Sequence, residues 1–86
     1  MAPHKKTLTG RYTRSNEALL RQRSSRRDDP RHVFYAAMLA CDTYDAYEAA
    51  VQGIQVIVPN FKKGPINGHT EMLYARRSGW IADSLC

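Results

Sequence analysis

The sequence predicts a mainly helical α+β fold in one small domain, and three observations carry that expectation. Apolar residues recur at helical spacing over most of the stretch from 31 to 52, a single short run is rich in β-branched residues, and positive charge is gathered in the N-terminal third. Residues 1 to 27 hold eight Lys/Arg against one acid, Glu17, whereas the remainder holds five Lys/Arg against seven acids. A flexible basic arm over residues 1–14 and a nearly neutral body over 15–86 follow from that asymmetry. A chain of 86 residues buries only about 60–65% of its unfolded surface. With so little core to spare, a homodimer built through the body is an expected aid to stability.

The first helix is expected over about 15–25. Ser15 stands where a cap belongs, Glu17 falls in the first turn, and Ala18, Leu19 and Leu20 form its narrow apolar face. Three leading apolar residues cannot hold a helix by themselves in water, so this one must dock or bind something. Asp29 and Pro30 then mark a second start, because proline at the first helical position forgoes an N–H that has no partner there anyway. From Arg31 to Gln52 the apolar stripe rotates. Val33, Phe34, Ala37, Met38 and Cys41 define one face, Ala40, Tyr44, Tyr47 and Val51 another, and a single straight helix would bury Asp42, Asp45 and Glu48 at high cost. A break at Asp42, acting as a cap, is the simpler arrangement, with helices over about 30–41 and 43–52, the former central and the latter closed by Gly53.

Ile54 to Val58 is β-branched and stops at Pro59, which predicts a short buried strand over 54–58. Its partner is left open among residues 7–13, residues 80–84 reached by a crossover, and the same strand of a second chain. Asn67-Gly68 could turn a hairpin, yet Thr70 to Arg77 has the stronger helical composition and Gly79 ends it, so a fourth helix is expected over about 69–78.

A strand and a loop separate residue 52 from residue 69, which excludes a helix-turn-helix, whose helices are joined by about three or four residues. Arg76 and Arg77 precede Trp80 by four and three residues, a spacing that suits stacking of a guanidinium on the indole. The segment Arg21-Gln22-Arg23-Ser24-Ser25-Arg26-Arg27 offers planar forks matched to phosphate, with Arg23, Arg26 and Arg27 on one helical face. Together with Lys5, Lys6, Arg11 and Arg14 it is the expected nucleic-acid-binding set; the competing reading is a solvated arm, or one folded back on Asp42, Asp45 and Glu48. Only Tyr12 interleaves with these cations, so an aromatic platform for single strands is not indicated by the segment itself. A second basic patch is conceivable where Lys62 and Lys63 approach Arg76 and Arg77.

His4, His32 and His69 fall on three different elements, away from metal-ligand spacing with Cys41 or Cys86, and no cofactor or metal is expected. The spacing of Asp42, Asp45 and Glu48 arises as readily from a cap and a solvated face as from cation binding. No nucleophile or acid–base constellation is legible, so the chain reads as a non-enzyme. No apolar run approaches the roughly 18 residues that cross a bilayer, and the opening residues lack an apolar leader segment, so the expected location is cytoplasmic. The absence of a C-x-x-C pair fits a reducing compartment. The expected partner is DNA or RNA. The alternative is a protein-interaction or inhibitor module presenting Tyr35, Tyr44, Tyr47, Phe61, Tyr74 and Trp80 as an aromatic surface.

Overall fold

The computed structural model of the chain describes residues 8–60, 62 and 64–84. Among them it places four helices, α1 (Glu17–Ser24), α2 (His32–Ala40), α3 (Tyr44–Val51) and α4 (Gly68–Arg77), and four short strands, β1 (Tyr12–Arg14), β2 (Gln55–Val56), β3 (Ile66–Asn67) and β4 (Ile81–Asp83). The expected helices are all present and the architecture is α+β, mainly helical. Two separate antiparallel ladders complete it, β1 with β4 and β2 with β3. As the rotating apolar stripe predicts, α2 is central and packs on α1, α3 and α4.

The helix starts differ from the expected ones in instructive ways. Asn16, not Ser15, caps α1, its side-chain oxygen accepting from Leu19 N at 3.3 Å. Ser15 is drawn away because its own N–H donates to Trp80 O at 2.8 Å, at the corner where the β1–β4 ladder ends. Thr43, not Asp42, caps α3 by accepting from Ala46 N at 3.1 Å, while the Asp42 carboxylate receives Arg14 instead. Asp29 accepts Arg31 N at 3.0 Å in a turn that precedes α2, so the regular helix starts at His32 rather than at Pro30. Asn67 ends β3 and caps α4 rather than turning a hairpin, its side chain accepting Thr70 N at 2.8 Å.

The strands require two corrections. Residues 7–13 and 80–84, each expected as a possible mate for 54–58, pair with one another, in the register Tyr12↔Asp83, Thr13↔Ala82 and Arg14↔Ile81. β2 takes its mate within the chain from residues 66–67, a nearby segment whose return closes a short loop at low entropic cost. Nor is the run 54–58 a buried strand, since only residues 55 and 56 pair and Ile57 is 73% exposed. Within the segment expected as a basic arm, Leu8 and Tyr12 are buried in the core, whereas residues 1–7 lie outside the described residues.

The core is Leu8, Tyr12, Leu20, Phe34, Tyr35, Met38, Tyr44, Tyr47, Val51, Ile66, Met72, Ala75 and Ile81. Leu20 is the one fully buried residue of α1. Each of the four core tyrosines donates its hydroxyl to a named acceptor. Tyr12 donates to Met38 O at 2.8 Å, Tyr47 to Gly68 O at 2.7 Å, Tyr35 to the Glu71 carboxylate and Tyr44 to the Asp83 carboxylate. Buried hydroxyls without such partners would each cost about 1–3 kcal/mol.

Gly68 shows how tightly α3 and α4 are drawn together. A Cβ at this position would lie 2.2 Å from Val51 Cγ2 and 2.7 Å from Val51 Cβ. Gly68→Ala is therefore expected to lower the unfolding free energy by about 1–3 kcal/mol, measured as a shift in the urea midpoint at constant m; an unshifted midpoint would mean that the helices can separate freely.

Candidate functional site

The arginines divide into those consumed by the fold and those left at its surface. Arg14, on β1, reaches the C-terminal end of α2, where Nη1 donates to Met38 O at 3.2 Å and Cys41 O at 2.8 Å, and Nη2 to Asp42 Oδ1 at 3.2 Å. Those carbonyls lie at the negative end of the helix dipole, so a guanidinium there is both a cap and a charge partner. Arg31 makes a two-pronged pair with Asp29, Nε to Oδ1 at 3.1 Å and Nη2 to Oδ2 at 2.9 Å, and this holds the Asp29 carboxyl below the usual carboxylate range. Arg76 closes a triangle with Tyr44 and Asp83: Nε donates to the Tyr44 hydroxyl at 3.2 Å and Nη2 to Asp83 Oδ1 at 3.0 Å. The hydrogen bond from Tyr44, followed by that from Arg76, holds the Asp83 carboxyl below its ordinary value.

Arg23 behaves differently. It follows Leu20 by three residues and so shares the face of α1 that docks, which carries its guanidinium over the indole of Trp80 at 4.9 Å and towards the ring of Tyr35 at 5.7 Å. Its Nε is buried and meets no acceptor, and the guanidinium makes no hydrogen bond or ion pair among the described residues. The expected stacking of Arg76 and Arg77 on Trp80 does not occur. α4 ends at Ser78, Gly79 takes a positive φ of 84° and Trp80 N turns back to Ala75 O at 2.9 Å, so Trp80 leaves the helix and the i, i+4 spacing no longer applies. Tyr74 meets the indole instead, edge to face at 5.4 Å.

Beyond α1 the chain turns, with Arg26 N donating to Arg23 O at 3.2 Å. The shared helical face expected for Arg23, Arg26 and Arg27 is therefore absent, because the helix stops at Ser24. Arg26 and Arg27 are exposed, the former 4.0 Å from the Asp28 carboxylate, itself exposed, and the latter with no side-chain partner among the described residues. Arg21 is exposed and pairs with Glu17 one turn earlier. Arg11 is exposed on the edge of the fold, where its backbone bridges Thr43. Lys5, Lys6 and Lys63 lie outside the described residues. Of the possible second basic patch, Arg76 is committed to Tyr44 and Asp83, while Lys62 and Arg77 are exposed.

The acidic stripe is dispersed among other partners. Asp42 receives Arg14, and Glu48 meets His69 Nδ1 at 2.9 Å, a contact that ties the first turn of α4 to α3. Among the described residues no group of three or more His, Cys, Asp or Glu is placed to hold a metal ion, and no helix is long and apolar enough to cross a membrane. Beside α4 lies a depression of about 450 Å³, walled by Ile66, Leu73 and Tyr74 and edged by Arg31 and Arg77, with Glu71 at 3% exposure in its lining. Sequence reasoning missed this assembly, whose aromatic parts are Tyr74 of α4 and Trp80 in the turn between α4 and β4. The one available signal was the i, i+3 spacing of Leu20 and Arg23, which places an arginine on a docking face. Comparison of the chain with protein-family models, curated proteins and solved structures finds no match.

Burial pushes the hydroxyls of Tyr12, Tyr35 and Tyr47 well above the ordinary phenol range, and at Tyr35 the bond to Glu71 adds to the effect. A phenol with a raised folded-state pKa contributes stability that is complete below its unfolded value of about 10 and is lost as pH rises through the folded value. On titration upward from about pH 9, the tyrosinate absorbance of these residues is expected to rise together with loss of helical circular dichroism. Ionisation of the whole set ahead of unfolding would show that the ring hydroxyls are open to water.

Proposed function

We propose that the protein binds nucleic acid through the arginines at the end of α1, contacting phosphates and depending strongly on salt. One observation carries the reading: Arg23 is held rigidly against two aromatic rings yet has no acceptor among the described residues, and Arg21, Arg26 and Arg27 surround the same helix end with only exposed or absent partners. A guanidinium already fixed in place loses little further freedom when a phosphate arrives, and Arg forks match its oxygens. Arg14 of the expected binding set and Arg76 of the possible second patch are set aside in this reading, because each is committed to partners inside the fold. Arg11 and Arg77 stay available at the surface.

The competing aromatic interaction surface has less support. Tyr35, Tyr44 and Tyr47 are interior residues, Phe61 lies outside the described residues, and only Tyr74 and the half-buried Trp80 remain of that set. Deleting residues 1–27 does not test either reading cleanly, because it removes Leu8, Tyr12 and Leu20 from the core.

Charge reversal outside the core does test it. The double variant Arg26→Glu/Arg27→Glu is expected to keep the wild-type melting curve. Its affinity for a short oligonucleotide at about 50 mM salt should fall at least tenfold, with the slope of log K against log salt shallower by about two. Fluorescence anisotropy reads both quantities, and unchanged affinity and slope would remove the proposal.

A further inference from the structure

We infer that the face formed by Tyr74, Trp80, Arg23 and Arg77 takes an unpaired nucleotide of a single-stranded nucleic acid, the base stacking on Tyr74 and entering the neighbouring depression. This rests on the nucleic-acid reading above and narrows it from phosphate binding in general to single strands. Three observations converge on it. Tyr74 is a large side chain left 43% exposed, and its ring is not free to wander, because it stands edge-on to Trp80 at 5.4 Å and 87°. A ring already held in place and still exposed is what a base requires, since stacking recovers contact without first ordering the protein side.

Unpaired positive charge flanks that ring on both sides. Arg23 lies across Trp80, which Tyr74 touches, and Arg77 follows Tyr74 by three residues on α4, exposed and without a side-chain partner among the described residues. The third observation is the depression of about 450 Å³, which Tyr74 and Arg77 both line. Its polarity orients a guest. Glu71, which already accepts the Tyr35 hydroxyl, offers acceptor oxygens to a donor-bearing base edge, while Arg31 and Arg77 at the rim match the backbone phosphates. Ile66 and Leu73 offer the apolar walls that a ring face prefers. A duplex hides its base faces in the stack and can reach only the cations, so Tyr74 discriminates strandedness while the end of α1 does not.

The test is a titration of the full chain at low salt with about 12 nucleotides of oligo-dU, the same length of oligo-rU, and a duplex of equal length. Binding is followed by anisotropy and by the emission of Trp80, the single tryptophan. The expected results are tighter binding to a single strand than to the duplex, quenching of Trp80 by single strands only, and a loss of about tenfold in single-strand affinity for Tyr74→Ala. Tyr74→Phe should bind as wild type and Arg77→Glu should weaken binding, so the inference stays testable if the alanine variant unfolds. The two single-strand arms identify the preferred sugar, and tighter binding of either supports the inference. If Arg26→Glu/Arg27→Glu weakens binding while Tyr74→Ala and Trp80 emission are indifferent to strandedness, the stacking site is overturned and the phosphate reading survives. If none of the three oligonucleotides binds, both fall.

Discussion

Four tyrosines fill the centre of this small protein, and each brings a hydroxyl that must find an acceptor in a place water does not reach. That requirement organises the rest. Tyr12 reaches the end of α2, Tyr35 joins α2 to α4, Tyr44 joins α3 to β4, and Tyr47 joins α3 to the first residue of α4. Because every bond is directional, the helices are set at defined positions as well as pressed together. A core of the same volume made from Leu and Phe would bury comparable apolar area with fewer constraints on how α3 and α4 are seated. The missing Cβ of Gly68 belongs to the same arrangement, since the Tyr47 hydroxyl reaches the Gly68 carbonyl only when Val51 lies against the bare backbone.

Arginine carries the second tier of specificity. The net positive charge of the chain suggests a surface property, yet Arg14 serves a helix end, Arg31 secures the turn before α2, and Arg76 bridges α3 and β4 through Tyr44 and Asp83. Such residues are poor candidates for ligand contacts, because a partner would have to outcompete several charge-assisted bonds. Charge counted along a sequence therefore overstates what a polyanion can use, and sorting the arginines by their internal partners reduces the available set to the end of α1, Arg11 and Arg77 among the described arginines.

Helix positions were legible because α2 and α3 carry strong apolar periodicity and because residues 42–43 interrupt it with a cap. Which residue caps was less legible, since Ser15 and Asn16, or Asp42 and Thr43, are chemically close and long-range partners decide between them: Trp80 O for Ser15, Arg14 for Asp42. Strand pairing was not legible at all. Segments of two or three residues carry almost no periodic signal, and the mates 12–14 and 81–83 are separated by nearly the whole chain. The basic segment was visible as composition, but the site that forms beside it depends on Trp80 swinging out of α4 at Gly79 to meet Arg23 and Tyr74, a junction of three elements that no single window of sequence contains.

The pairing of β1 with β4 has a temporal side. A growing polypeptide makes β1 before the four helices and its mate β4 after all of them, so the ladder can close only once α1 to α4 have been synthesised. Until then α1 and α2 can already associate through Leu20, a contact of short sequence separation, while Tyr12 and the carbonyls at the end of α2 remain in water. This clasp thus joins segments on either side of the four helices, at the opposite extreme of sequence distance from the contact between α1 and α2.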